Sequence, residues 1–204
     1  MASIPTVSFR VHLVLASTSP RRAELLKAAG FSFTVRAIDA NESGDPAEPS
    51  EDYVRRIAIL KADAAGPPAA DTVILTADTT VVIDEDRLGK PSGAHEAADM
   101  LARLFGRTHE VLTAIALSHR TMRTVDVART LVTFNVVPPH LIDWYVASGE
   151  PLDKAGAYAI QGLASRFIAR IDGSYSNVVG LPVDLVFRRL TTLGYIEAPS
   201  RNAP

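Results

Sequence analysis

The segment LVLASTSPRRAELLKAAG, from Leu13 to Gly30, predicts a buried strand followed by a tight turn and a helix. The apolar, partly β-branched run from Val11 to Ala16 is typical of a buried strand. Ser19 and Pro20 mark the start of the helix, and the glycine at position 30 marks its end. A helix therefore begins shortly after a buried strand ends.

Arg21 and Arg22 lie in the first turn of this predicted helix, where the backbone already carries excess positive charge. A cation there opposes the helix dipole. A bound phosphate removes the conflict, because the free N–H groups of the helix start, the hydroxyls of Ser17 and Ser19 and both guanidinium groups can bind its oxygens. The alternative is that both arginines are solvated or pair with nearby carboxylates.

The rest of the chain continues to alternate between strand and helix patterns. We expect strands at Phe31–Ala37, Val73–Ala77, Thr80–Ile83, Glu110–Leu117, Thr124–Val137 and Phe167–Ile171, and helices at Ser50–Ala65, from Ser92 to Gly106, at Pro138–Tyr145 and at Val183–Leu193. This alternation predicts the α/β class with a mixed twisted sheet and flanking helices. Residues 1–198 are expected to form a single domain and residues 199–204 a loose tail.

The composition of the 204-residue chain excludes several classes of protein. Its 47% hydrophobic and 22% charged residues are typical of a globular fold. A net charge of −2 without a dense Lys/Arg stripe argues against nucleic-acid binding and favours a small anionic partner. The absence of cysteine excludes disulfides, thiolate catalysis and Cys-ligated zinc and fits a reducing compartment. No window approaches the ~18 apolar residues of a membrane span, so we expect a cytoplasmic protein.

A carboxylate, Asp78, lies inside the apolar run ILTADTTVVI and is expected to interrupt the strand there. At a strand end it could hold a divalent ion or accept a proton from water, and the alternative is a turn or bulge residue. Glu42, in an acidic loop, is either a second metal ligand or a solvated charge. Lys90 faces either phosphate oxygens or solvent. Together with the two arginines, these residues are the ingredients of metal-assisted phosphoryl chemistry.

Two segments, DKAGAYAIQG at residues 153–162 and IDGSYSNVVGLP at residues 171–182, are rich in glycine, tyrosine and amides. They either line a pocket or form irregular connections. The motifs GxGxxG and GxxxxGK[ST] are absent, so the usual dinucleotide and P-loop sites are not expected. We expect His109 to be structural, and Trp144 and Tyr145 to make core contacts or contacts between lobes.

Five stretches in this order, LASTSPRRAELL, ADTTVVIDEDRLGKP, GRTHEVLTAIAL, DKAGAYAIQG and GSYSNVVGLP, resemble the Maf family of nucleoside triphosphate pyrophosphatases. The resemblance extends from about Leu13 to Leu193. It implies an α/β fold with two lobes around a deep cleft, related to inosine triphosphate pyrophosphatases. It also implies a divalent cation, Mg²⁺ or Mn²⁺, as cofactor, and a homodimer, since members of the family are often dimeric.

The resemblance assigns roles to individual residues. Asp78 matches the family's proton acceptor, and Glu42 matches an acidic position that would share a metal ion with it. The positions that bind phosphate match Ser17, Arg22 and Lys90. The specificity positions of the branch that prefers dTTP and UTP match Arg21, Thr79 and Gln161. The sister branch, associated with 7-methyl-GTP, has a glutamate in place of the glutamine.

One helix departs from the family pattern. Many members have a Glu-Lys pair before an alanine, whereas this chain reads Leu60-Lys61-Ala62. A metal or helper role for a carboxylate at position 60 therefore does not carry over.

The resemblance as a whole implies hydrolysis of dTTP and UTP, and of modified uridine triphosphates, to the nucleoside monophosphate and pyrophosphate. The alternative is a nucleotide-binding regulatory protein of cell division without significant turnover, because the family is named after a septum-formation phenotype.

Overall fold

The computed structural model of the protein describes residues 8–44 and 47–197. Within these ranges the strands are β1 (Ser8–Phe9), β2 (His12–Ala16), β3 (Thr34–Arg36), β4 (Thr72–Ile83), β5 (Asp86–Leu88), β6 (Thr108–His119), β7 (Met122–Phe134), β8 (Ile168–Asp172) and β9 (Ile196–Glu197). The α-helices are α1 (Pro20–Ala28), α2 (Ser50–Ala64), α3 (Ala94–Leu104), α4 (Pro139–Ala147), α5 (Tyr175–Val179) and α6 (Val183–Thr192). Short 3₁₀ helices span Glu150–Asp153, Ala155–Ala157 and Leu163–Phe167. The expected tail at residues 199–204 lies outside the described residues.

A mixed seven-stranded sheet organises the fold. Its order is β3–β2–β4–β6–β7–β8, with β5 paired to the end of β4. Strand β2 is parallel to both β3 and β4, and the remaining neighbours are antiparallel. A separate small sheet pairs β1 with β9. The prediction of an α/β fold with a mixed sheet and flanking helices is confirmed.

Helices cover both faces of the sheet because strand side chains alternate between the faces. Leu13 and Leu15 of β2 pack in one cluster with Leu190 of α6. Ala114 of β6 points to the opposite face and packs in another cluster with Val54 of α2. No helix of the described part of the chain is long and apolar enough to cross a membrane.

The prediction that the strand breaks at Asp78 is wrong. Strand β4 is continuous, and Asp78 keeps its place in the ladder opposite Ala114 of β6. A carboxylate inside an apolar run is usually a sign of a turn. Here the strand continues because a lysine from α2 contacts the carboxylate at 2.7 Å and compensates its charge.

Several short elements were not predicted, because segments of two to five residues are too short to show periodicity. Strand β5 folds back on β4 through Asp84 and Glu85, which both have positive φ, at 53° and 68°. Two adjacent positive φ values are typical of a tight hairpin turn. Strand β5 follows this turn and leads to Lys90.

Candidate active site

A cleft of about 350 Å³ opens where β2 ends and α1 begins. Its walls come from the β2–α1 turn, the loop after β3, strand β4, the segment after β5 and the irregular region between α4 and β8. All the residues that the sequence predicted for the site line this cleft: Ser17, Arg21, Arg22, Glu42, Asp78, Thr79, Lys90 and Gln161. Their proximity makes a shared site feasible, and their individual roles stay predictions.

A buried lysine joins the two predicted metal-binding carboxylates. The Nζ atom of Lys61 lies 2.7 Å from Oδ1 of Asp78 and 2.8 Å from Oε1 of Glu42. The side chains of Lys61 and Asp78 are 11% and 7% exposed, whereas that of Glu42 is 55% exposed. The charge of Asp78 is therefore compensated inside the protein, and Glu42 extends the acidic pair to the solvent side.

Lys61 was not among the predicted site residues, although its position in the sequence indicated a buried charge. The buried residues of α2 fall at helical spacing: Val54, Ile57, Ala58, Lys61 and Ala62. A charged side chain in the apolar stripe of an amphipathic helix must find a partner, because an unpaired buried charge is costly. The pattern thus marked Lys61 as a buried charge that needs a partner.

Burial raises the pKa of Asp78 above the ordinary value, and Glu42 adds to this effect. Lys61 and Arg22 lower the pKa in turn, but the loss of hydration outweighs them. A carboxylate with a raised pKa is a better proton acceptor than a solvated aspartate. The surroundings of Asp78 therefore suit a general base.

The loop that carries Glu42 is fastened to α2. The hydroxyl of Tyr53 donates a hydrogen bond of 2.9 Å to the backbone carbonyl of Glu42, and Arg56 donates one of 3.2 Å to the carbonyl of Ser43. These bonds hold the main chain, and the carboxylate of Glu42 contacts Lys61 at the cleft.

Arg22 is a buried cation that lines the cleft and is only 9% exposed. Its guanidinium donates to the carbonyl of Gly180 at 2.9 Å, to Ser17 Oγ at 3.2 Å and to Thr79 Oγ1 at 3.3 Å. These partners are all uncharged, and no carboxylate of the described residues forms an ion pair with it. Burial lowers the pKa of Arg22, but an arginine remains protonated in proteins. A buried cation without an anion favours an anionic ligand.

The helix start adds to this positive region. Ser17 Oγ accepts a hydrogen bond of 3.2 Å from the backbone N–H of Ser19, and Pro20 occupies the first turn of α1. No acidic residue lies in that turn. The helix dipole therefore faces the cleft without a carboxylate of its own first turn to balance it.

The three predicted specificity residues differ in their surroundings. Arg21 contacts Asp153 at 3.4 Å in an exposed ion pair, which contributes little to stability. The hydroxyl of Thr79 is already engaged by Arg22, by Thr113 at 3.0 Å and by the carbonyl of Gly180 at 3.3 Å. Gln161 is exposed in the cleft. Of the three, Gln161 is thus best able to offer its polar atoms to a ligand.

The expectations for the aromatic residues have mixed outcomes. His109 is buried and contacts the hydroxyl of Tyr158 at 2.9 Å, and burial lowers its pKa to about 4, so it is neutral and structural as expected. Tyr145 is fully buried, as predicted. The expectation for Trp144 is wrong: it is 43% exposed and stacks with the guanidinium of Arg166 at the surface.

The family model described as Maf-like protein matches residues 12–193. The chain belongs to this family. A relative from Symbiobacterium thermophilum named dTTP/UTP pyrophosphatase is 45% identical over 90% of this chain and 94% of its own length. One from Myxococcus xanthus with the same name is 50% identical over 84% of this chain and 87% of its own. A solved structure of a HAM1 protein from Coxiella burnetii aligns with a TM-score of 0.48 and 16% identity over 90% of this chain and 98% of that one.

We expect Lys61→Met to lower the free energy of unfolding by roughly 3 kcal/mol at pH 8, because it leaves the buried charge of Asp78 uncompensated. The loss should shrink as the pH falls from 8 to 5, because the raised pKa of Asp78 favours protonation, which removes the unpaired charge. The double variant Lys61→Met/Asp78→Asn should recover most of the stability. Urea unfolding of the wild type, the single variant and the double variant at both pH values measures these differences in stability.

Lys27→Met is the matched control for this prediction, because Lys27 is exposed on α1 and its replacement should change stability by at most ~0.5 kcal/mol. Equal losses in Lys61→Met and in the double variant would show that the ion pair is not the cause.

Proposed function

We propose that this protein hydrolyses dTTP and UTP, and modified uridine triphosphates, to the nucleoside monophosphate and pyrophosphate. The observation that carries the proposal is that one cleft holds both a buried cation without an anion, Arg22, and a buried carboxylate with raised pKa, Asp78. The first suits a phosphate and the second suits activation of water. The names of the relatives from Symbiobacterium and Myxococcus support the same reaction.

In the proposed reaction, water attacks the α-phosphorus, and the bond from this phosphorus to the α–β bridging oxygen breaks. Asp78 orients the water and accepts its proton, while Lys61 holds the carboxylate in place. Pyrophosphate leaves with the bridging oxygen. Arg21, Arg22 and Lys90 stabilise the negative charge that develops on this leaving group.

A divalent cation, Mg²⁺ or Mn²⁺, fits the carboxylates of Glu42 and Asp78. Both offer oxygen ligands and contact the same lysine nitrogen, so they lie close together. The described residues contain no group of three or more potential ligands. Mg²⁺ is commonly held by one or two carboxylates together with substrate phosphates, so two suffice. When bound, the ion would polarise a phosphoryl oxygen.

The regulatory alternative, a nucleotide sensor without turnover, is not favoured. Binding alone does not require a buried carboxylate of raised pKa beside the phosphate-binding residues, and hydrolysis does. We further propose that the enzyme acts in the cytoplasm as a homodimer of single domains, residues 1–198, without a nucleic-acid partner.

We expect wild-type protein with dTTP and Mg²⁺ to release pyrophosphate, and Asp78→Asn to abolish this release while it retains nucleotide binding. The substitution preserves the shape of the side chain but removes the proton acceptor. Turnover and dTTP affinity, measured on both proteins, test this directly. Near wild-type turnover in Asp78→Asn would show that Asp78 is not the general base. Binding of dTTP without turnover by the wild type would favour a nucleotide sensor.

Arg22→Ala and Lys90→Ala should each lower kcat/KM for dTTP on the order of 10²-fold, because each removes a cation that stabilises the leaving group. Arg188→Ala and Lys27→Ala are matched controls at exposed positions outside the cleft. Thermal unfolding of every variant separates lost activity from lost structure. Unchanged kcat/KM in both cleft variants would place the phosphate site elsewhere.

Gln161→Glu should lower kcat/KM for dTTP and UTP by roughly 10- to 100-fold. Uracil and thymine present an O4 acceptor beside an N3–H donor, and a carboxamide matches both. A glutamate offers only acceptors and leaves O4 without a donor. A guanine nucleotide, whose N1–H and N2–H₂ are donors, should lose much less.

Steady-state rates of wild type and Gln161→Glu on dTTP, UTP, CTP, GTP and 7-methyl-GTP decide this prediction. An equal loss on every substrate would mean that Gln161 supports its loop and does not recognise the base.

A further inference from the structure

The segment that carries Gln161 is held at both ends by two side chains that the mechanism does not use. At one end, the backbone N–H of Ala159 donates a hydrogen bond of 3.1 Å to the hydroxyl oxygen of Tyr145. At the other end, the N–H of Leu163 donates one of 3.0 Å to Oε2 of Glu150. Gln161 lies between these two anchored positions.

The two anchors are joined to each other. The hydroxyl of Tyr145 donates a hydrogen bond of 2.7 Å to Oε1 of Glu150. Burial and this bond raise the pKa of Tyr145, so the hydroxyl keeps its proton and remains a donor. A continuous chain of hydrogen bonds therefore runs from Ala159 through Tyr145 and Glu150 to Leu163. We call these two side chains the 145–150 brace.

The brace requires a carboxylate at position 150. Both of its partners, the Tyr145 hydroxyl and the Leu163 N–H, donate protons, and only a carboxylate offers an acceptor to each without a donor of its own. A glutamine of the same shape would turn an N–H₂ group toward one of them. One hydrogen bond would then be lost.

Gly162 shows how closely the carboxylate approaches the loop. A Cβ atom built on Gly162 would overlap Oε2 of Glu150. Only a residue without a side chain allows Glu150 to reach the backbone next to Gln161. The glycine next to Gln161 thus leaves room for this carboxylate.

We propose that Glu150 and Tyr145 are positioning residues for base recognition, which fix the segment 159–163 so that the carboxamide of Gln161 meets a uracil or thymine in one orientation. This inference rests on the proposed function, in which Gln161 recognises the base. Cytosine presents the opposite donor and acceptor pattern and would be matched by a rotated amide. A loop held at both ends limits that rotation, so the brace contributes to discrimination between dTTP and CTP.

The test is Glu150→Gln, compared with wild type on dTTP and CTP. We expect kcat/KM for dTTP to fall roughly tenfold, which corresponds to about one lost hydrogen bond. The change should appear mainly as a higher KM, because contacts to the base are made in both the ground state and the transition state. CTP should change much less, so the dTTP/CTP ratio should fall roughly tenfold. Tyr145→Phe, which keeps the ring and removes the hydroxyl, should give the same pattern.

Glu96→Gln is the matched control. Glu96 also accepts one N–H and one O–H bond, both from Ser92, at the start of α3 and outside the cleft. Its replacement should leave the dTTP/CTP ratio unchanged. The inference would be overturned if the dTTP/CTP ratio of kcat/KM stayed unchanged in both Glu150→Gln and Tyr145→Phe, or if both nucleotides lost activity equally. The brace would then serve only to stabilise the fold.

Two further measurements keep the inference separate from the proposed function. If wild type releases no pyrophosphate, the proposed function fails, and the ratio of Kd values for dTTP and CTP in the same variants then tests the brace by itself. In the second, Gln161→Ala is combined with Glu150→Gln. The double variant should discriminate no worse than Gln161→Ala alone, and a further drop would show that Glu150 does not act through Gln161.

Discussion

The buried contact between Lys61 and Asp78 is the interaction on which the rest of the site depends. Asp78 lies in the middle of a strand with helices packed on both faces, where an isolated carboxylate would cost several kcal/mol. The ammonium of Lys61, at 2.7 Å, compensates that charge. Asp78 can still accept a proton, since its pKa stays above the ordinary value. Strand β4 can therefore run unbroken through the cleft.

The same contact explains what the sequence could and could not predict. Alternating strand and helix patterns predicted the α/β class and most element positions, because the buried faces are long enough to show their periods. The break at Asp78 was predicted wrongly, because its compensating partner lies seventeen residues earlier in another element, as the sequence separation of the pair records. Periodicity within one element carries no information on such a pairing. Lys61 was nevertheless detectable as a charge in an apolar stripe.

The predicted conflict at the start of α1 takes a specific form in the structure. Arg22 turns into the protein and donates to three uncharged oxygens, whereas Arg21 remains at the cleft edge beside Asp153. The two arginine side chains therefore differ in how far they must move to bind an anion. A buried guanidinium held by three partners needs little reorganisation to bind an anion, whereas the exposed one must leave its ion pair. The sequence placed both at the helix start but could not distinguish them, since Arg22 is oriented by Gly180 and Arg21 by Asp153, both far along the chain.

The residues proposed for hydrolysis and the residue proposed for base recognition thus lie in different parts of the cleft. Three of the groups proposed for hydrolysis, Asp78, Lys61 and Arg22, are buried on regular elements, where packing fixes them within the core. The residue proposed for base recognition, Gln161, is exposed on an irregular segment, which has no strand or helix to hold it. Such a segment needs anchoring by side chains, and the hydrogen bonds of Glu150 and Tyr145 provide it. Because these anchors do not touch the buried groups, changes in the segment can alter which nucleotide is preferred while the hydrolytic centre stays intact.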